Sequence, residues 1–189
     1  MFETFQSVGV IPEESISQFE SAVPAEFVQA WREHGTGYIG DGYFRLVDPV
    51  RAADMLGSTG LLPPGSVVLM VTALADIIAW SGGVFLVVKS RLGEIQVATQ
   101  PAPKLIGLLD DKPGYRDKTW DWQPYPAVRD RLGVPGYEDC FMHVPLLMMG
   151  GRGDPDKMQV GSLWMHIALM TQMTGQPQLT GMLPVPDEA

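Results

Sequence analysis

Residues 67–88, VVLMVTALADIIAWSGGVFLVV, decide the fold, because this apolar stretch is nearly long enough to be a membrane-spanning helix. Its only charge is Asp76, and a carboxylate at the centre of a bilayer costs about 2.5–3.5 kcal/mol. Ser81-Gly82-Gly83 is typical of a turn, and valine and isoleucine dominate the flanks. The stretch therefore predicts two buried strands and no membrane span.

The neighbouring sequence extends this pair into a sheet. Turn signals near Ala75, Gly82-Gly83 and Gly93 separate four apolar segments, which predict successive antiparallel strands: SVVLMVTAL, DIIAW, VFLVVKS and IQVATQ. Upstream, the Asp41-Gly42 pair within YIGDGYFRLV predicts a hairpin over residues 38–47. A central antiparallel sheet is thus the expected scaffold.

Helices are predicted both before and after these four strands along the chain. Apolar residues at helical spacing and terminal glycines predict five: 12–20, 24–35, 48–57, 124–133 and 162–175, the third with Asp48 as its N-cap. Residues 101–123 are predicted to be irregular apart from Leu105–Leu109, and the tail from residue 176 to be extended or frayed. The expected fold is α+β, with an acidic N-terminal helical segment, a central antiparallel sheet flanked by helices, and C-terminal helices. We expect a portion 1–100 of helices and sheet, and a helical portion 101–189 packed on the same core.

The charge is unevenly distributed along the chain. The sequence has 13 basic and 22 acidic residues, a net charge of −9. Residues 1–88 hold ten of the acidic and three of the basic residues, so their net charge is −7, and residues 89–189 contribute −2. An acidic surface repels a phosphate backbone and attracts a cationic partner, which makes nucleic acid an improbable ligand. A surface that merely keeps the protein in solution is the alternative interpretation.

Cysteine usage and the N-terminus bear on the cellular compartment. One cysteine cannot form an internal disulfide, and eleven methionines beside a single thiol fit a reducing compartment. The opening MFETFQSVGVIPEE has acidic residues where a signal peptide would be basic. We therefore expect a cytoplasmic protein.

The only cysteine lies in YEDCFMHVPLLMMGGRGD, residues 137–154, together with a histidine and a neighbouring carboxylate. Cys140 and His143, with Asp139 and His166, could form a zinc site or a Cys-His-Asp nucleophile. The chain has no second cysteine for a zinc site, and apolar residues surround Cys140, which favours a small buried side chain. GGRGD lacks the phosphate-loop pattern and predicts a turn. We expect no catalytic residue, metal or cofactor.

Several segments in order resemble the GAD-like immunity proteins of type VI secretion systems, and more distantly the SMI1/KNR4 group. These segments are PAEFVQAWREHGTGYIGDGYFRLVDP, VTALADIIAW, YEDCFMHVPLLMMGG and LWMHIALMTQMTGQ. The resemblance covers roughly residues 5–176, and the matching positions are Trp31, Gly35, Gly37, Asp41, Gly42, Pro49, Asp76, Trp80, Pro145, Gly150, Gly151 and His166. The chain departs from the pattern at Ala73-Leu74-Ala75, where the family typically has Ala-Phe-Gly.

The resemblance implies a non-enzymatic protein that binds one cognate effector toxin, a DNase whose DNA-binding surface is basic. Together with the charge distribution it predicts an acidic contact surface formed by Glu13, Glu14, Glu20, Glu26, Glu33 and Asp41. Two alternatives are a scaffold or regulatory binding protein of the SMI1/KNR4 type and a Cys140-dependent hydrolase.

Overall fold

The computed structural model describes residues 2, 4–57, 59–99, 101–107, 109 and 119–183. Its main sheet has eight strands in the order β1-β2-β3-β4-β5-β6-β7-β10, and β8 and β9 form a separate antiparallel pair. The strands are β1 (Gln6–Gly9), β2 (Thr36–Ile39), β3 (Phe44–Leu46), β4 (Val67–Thr72), β5 (Ile77–Ser81), β6 (Val84–Lys89), β7 (Glu94–Ala98), β8 (Asp139–Met142), β9 (Gln159–Ser162) and β10 (Gln178–Met182).

The helices begin and end close to the positions that the sequence predicts. Their bounds are α1 (Glu13–Phe19), α2 (Ala25–His34), α3 (Pro49–Leu56), α4 (Ala102–Gly107), α5 (Pro124–Leu132) and α6 (Leu163–Thr174). Asp48 caps α3 as expected, because its Oδ1 accepts a hydrogen bond of 2.9 Å from the amide of Val50. Gly35, Gly57, Gly133 and Gly175 follow the ends of α2, α3, α5 and α6.

The apolar stretch at 67–88 forms the antiparallel pairs β4–β5 and β5–β6 at the centre of the sheet. Both faces of these strands are covered. Ile78 and Val87 contribute to one hydrophobic core, and Ile77 and Val88 to the other. This double burial explains why the stretch is a continuous apolar run and does not alternate. No helix within the described residues is long and apolar enough to cross a membrane.

Four strands and one helix were not predicted from the sequence. The predicted tail contains β10, which pairs with β7 in parallel, so the sheet is antiparallel except at this edge. The C-terminal portion also contains the β8–β9 pair, and its description as helical was therefore incomplete. At the other edge β1 pairs with β2. The apolar piece at 105–109 lies mostly in α4, while residues 110–118 and 184–189 are outside the described residues.

The helices cover both faces of the sheet and form two hydrophobic cores. The first core joins the sheet to α1, α2, α4 and α5 through Ile16, Phe27, Leu105 and Val128. The second core joins the opposite face to α3 and α6 through Ala52 and Ile167. Both cores combine residues from before and after residue 100, so the two predicted portions share them.

Candidate functional site

Four charged residues form a buried charge cluster at one end of the central strands: Asp76, Lys89, Arg91 and Asp121. Asp76 is 1% exposed, and its carboxylate contacts the Arg91 guanidinium. Arg91 also contacts Asp121, whose Oδ2 lies 2.9 Å from Nζ of Lys89. Burial raises the pKa of Asp76 to about 6, although Arg91 and Lys89 act in the opposite direction.

The loop between β4 and β5 places Asp76 in this cluster. Oγ1 of Thr72 accepts hydrogen bonds from the amides of Leu74 and Asp76, at 3.2 and 3.1 Å. Ala75 has a φ of +63°, in the left-handed region that favours glycine. This conformation gives a physical reason for the glycine that the family has at the position. Lys89 ends β6, and Arg91 lies on the 3₁₀ turn Ser90–Leu92 that follows.

Strand β8 and helix α6 each bring one histidine close to the cluster: His143 directly follows β8, and His166 lies on α6. The amide of Phe141 donates a 2.7 Å hydrogen bond to the carbonyl of Ala73, which attaches β8 to the β4–β5 loop. His143 and His166 are only 9% and 5% exposed, and the Nδ1 atom of each is buried without a hydrogen-bond partner among the described residues. Burial lowers the pKa of His166 to about 4, with His143 and Arg91 acting in the same direction. Burial and Arg91 also lower the pKa of His143, so both imidazoles are neutral at pH 7.

A cleft of about 630 Å³ lies over the buried charge cluster. Its polar lining includes Arg91, Asp121 and His143. A second cavity of about 340 Å³ shares His143 and Gly153 with the cleft. The cleft has five apolar lining residues, which are Leu74, Leu92, Pro124, Leu147 and Pro155. Asp76 and His166 lie on the family pattern, but Lys89, Arg91 and Asp121 could not be identified from the sequence, because nothing local to them shows that their charges meet.

Cys140 lies in the second hydrophobic core with Leu163 and Ile167, and it is fully buried. Burial raises the pKa of its thiol to about 12, so the thiolate that a nucleophile requires is not populated near neutral pH. Phe141 contributes to the first core and so points to the opposite side. These observations favour the structural interpretation of Cys140. In the part of the chain that the structure describes, no three His, Cys, Asp or Glu side chains form a group that could hold a metal ion.

Five of the six predicted contact residues lie on or directly beside α1 and α2, and we call them the acidic helical surface: Glu13, Glu14, Glu20, Glu26 and Glu33. Glu20 follows α1 directly. Arg32 of α2 bridges the two segments, because its Nη2 lies 2.6 Å from Glu13 and 2.7 Å from Glu20. A groove of about 500 Å³ between them is lined by Glu20, Arg32 and Glu33, among others.

Asp41, the sixth predicted residue, lies apart from the acidic helical surface. It occupies the β2–β3 turn with a φ of +54°, and its Oδ2 is 3.8 Å from Nη1 of Arg129 on α5. Its backbone carbonyl accepts a 2.7 Å hydrogen bond from the hydroxyl of Tyr125, also on α5. The hairpin was predicted correctly, but its contacts with α5 at the turn were not.

Comparison with known proteins identifies the family. The family model described as the GAD-like domain matches residues 1–91, and the one described as the C-terminal part of the T6SS immunity protein Tdi1 matches residues 104–174. No protein of curated function matches the chain. Its fold is similar to the crystal structure of Atu4351 from Agrobacterium tumefaciens, with a TM-score of 0.74 at 15% sequence identity over 90% of this chain and 85% of the other. The two family models support the GAD-like resemblance and give no support to the SMI1/KNR4 one. The chain belongs to the GAD-like family of type VI secretion immunity proteins.

Proposed function

We propose that this immunity protein neutralises its effector by stoichiometric binding without turnover, in the cytoplasm, and that the effector is a DNase. The observation that carries the proposal is the acidic helical surface. Five glutamates lie on or beside α1 and α2, and Arg32 is the only lysine or arginine in these helices. A DNase must bind a polyanion, so its working surface is expected to be basic and complementary to these glutamates.

The contacts within the acidic helical surface indicate which carboxylates an effector would meet first. Arg32 contacts Glu13 and Glu20, and this exposed pairing holds α1 against α2 while contributing little energy. Glu33 accepts a 2.7 Å hydrogen bond from the side-chain amide of Gln29, which is uncharged. Glu14 and Glu26 have no salt bridge to the described residues. We therefore expect Glu14, Glu26 and Glu33 to attract the effector most strongly, with Asp41 as a peripheral contact.

Co-expression with the product of the neighbouring open reading frame, as the candidate toxin, tests the proposal. Survival of the cells, co-purification in a 1:1 complex and loss of DNA cleavage by the purified toxin are expected together. A complex that leaves DNA cleavage intact, or protection at far below one equivalent of immunity protein, would rule out stoichiometric inhibition of a DNase.

Charge reversal tests the contact surface. The triple variant Glu14→Lys, Glu26→Lys, Glu33→Lys should lower the association rate by about tenfold or more at low salt and weaken its salt dependence. The matched control Asp54→Lys, Asp130→Lys, Asp156→Lys changes the net charge equally but lies outside α1 and α2. Equal association rates for the two triple variants would show that net charge, and not this surface, attracts the effector.

A further inference from the structure

The cleft over the buried charge cluster has the composition of a binding site. Its volume of about 630 Å³ lies within the range of roughly 300–1,000 Å³ that is typical of ligand pockets. Leu74, Leu92 and Leu147 line it, and Leu92 is 43% exposed. Met148 and Met149, which follow Leu147, are also exposed. Flexible methionines beside an apolar cleft suit a surface that adapts to a partner.

The charges in the cleft are already paired with one another. Asp76 contacts Arg91, and Asp121 contacts both Arg91 and Lys89. Two carboxylates and two cations therefore balance within the cluster. Among the described residues that line the cleft, a charged group would find no unpaired counter-ion to replace its lost hydration. The electrostatics thus favour an uncharged occupant.

The polar lining can form hydrogen bonds with such an occupant. His143 is nine-tenths buried and lines the cleft, and its Nδ1 has no partner. A neutral imidazole offers one donor and one acceptor, and the side-chain amide of Gln123 at the exposed edge offers both kinds of group. A peptide group, with its own N–H and C=O, matches this set. Asp121 has a φ of +53°, and Ala75 is also left-handed, so backbone strain is concentrated around the cluster.

We propose that the cleft receives an uncharged, apolar peptide segment of the cognate effector. One or two apolar side chains of the segment pack against Leu74, Leu92 and Leu147, and a peptide group pairs with His143. This inference rests on the proposed function, because it names a second docking site for the same partner. The cleft is formed by elements other than α1 and α2, so the two contacts can be tested separately.

Filling the cleft from its exposed edge tests this inference. The probe is a catalytically inactive form of the candidate toxin. Gln123→Trp should weaken its binding by about 30-fold or more, because an anchor in a central pocket dominates affinity. Gln172→Trp, an equal change on the exposed side of α6 away from the cleft lining, should leave the Kd unchanged. Equal Kd values for both variants and the wild type would overturn the proposal.

Hydrogen exchange on the wild-type complex gives a readout that needs no substitution. Amides of residues 90–92, 121–123 and 147–153 should become protected when the toxin binds, and protection confined to α1 and α2 would overturn the cleft site. A non-peptide small molecule that co-purifies in the cleft, detected by native mass spectrometry, would overturn the peptide assignment. If the wild-type protein binds no toxin, the proposed function and this inference both fail; if it binds and the cleft variant binds equally, only the cleft site fails.

Discussion

Arg91 is the residue on which the buried charge cluster depends, because its guanidinium contacts both Asp76 and Asp121. The carboxylate of Asp76 stays ionised at pH 7 although burial raises its pKa to about 6. Without the Arg91 guanidinium, Lys89 would be the only cation of the cluster left to compensate the buried carboxylate of Asp76. The stability of the cluster therefore comes from complete pairing and not from any single bond.

Arg91→Met should lower the free energy of unfolding by about 3–5 kcal/mol, because it leaves the Asp76 charge buried and poorly compensated. Urea denaturation at pH 7 measures this loss. Arg51→Met is the matched control, since Arg51 pairs with Glu138 at 3.1 Å where the two side chains are 60% and 41% exposed. An exposed pair contributes about 0–1 kcal/mol. Similar losses for the two variants would contradict the assigned role of Arg91.

His166 should make the protein less stable in mild acid. Its pKa falls from 6.5 in the unfolded chain to about 4 in the folded protein, so the unfolded chain takes up the proton first. Stability is therefore lost as the pH falls from 6.5 to 4, by up to about 3 kcal/mol. Asp76, whose pKa is raised, acts in the opposite direction over this range.

The contribution of His166 to the pH dependence of stability is measured by comparing the His166→Gln variant with the wild type. Urea denaturation of His166→Gln should show a smaller loss of stability between pH 6.5 and pH 4 than the wild type shows. A parallel pH dependence for His166→Gln and the wild type would mean that His166 does not titrate with a lowered pKa.

At the scale of the elements, the glycines of the family pattern have packing duties. Gly35 joins α2 to β2 with φ +67° and ψ −141°, a conformation that is essentially restricted to glycine. A Cβ there would collide with the carbonyl oxygen of Gly9 at the end of β1. Gly37 lies against the carbonyl of Gln6 and the ring of Phe5 in the same way. These glycines allow β1 to approach β2 closely.

Gly35→Ala should destabilise the protein by about 2–4 kcal/mol, because strained backbone and a backbone collision add together. Gly82→Ala is the control. Gly82 also has a positive φ of +57°, but a Cβ added there would meet no atom of the described residues within 4 Å. Its cost should be limited to the left-handed conformation, about 1–2 kcal/mol. Thermal denaturation compares the two, and an equal loss in Tm would show that the β1–β2 contact adds nothing.

At the scale of the whole molecule, the two regions that the family models match share their cores. Phe85 and Val87 of β6 pack in one core with Val128 and Phe141, and Val88 packs in the other with Leu163. Strand β10 completes the sheet edge beside β7. The protein should therefore unfold as one cooperative unit, although two family models describe it.

Far-UV circular dichroism and tryptophan fluorescence should give coincident urea transitions, because tryptophans lie in both regions. A fragment of residues 1–100 should remain largely unfolded, since it lacks α4, α5, α6 and β10. Two separate transitions, or a folded 1–100 fragment, would show that the regions are independent domains.

Local patterns in the sequence determined most elements of this protein and the residues at their ends. The β4–β6 strands follow from apolar runs and turn glycines, and α3 follows from Asp48 and Pro49, because these signals act within a few residues. The short, polar strands β1 and β10 carry no such signal. Only neighbouring strands supply their hydrogen bonds.

The two candidate sites differ in the same respect, because local sequence indicates one of them and not the other. The proximity of the five glutamates on and beside α1 and α2 could be predicted, since they lie close together along the chain, and their role as a contact surface stays a prediction. The buried charge cluster could not be predicted, because Asp76, Arg91 and Asp121 are far apart in sequence and nothing local to Arg91 or Asp121 shows that they meet Asp76. Tertiary structure decided their role: folding removes Asp76 and Arg91 from water and places the partly exposed Asp121 beside them, and a buried charge is stable only next to such a partner.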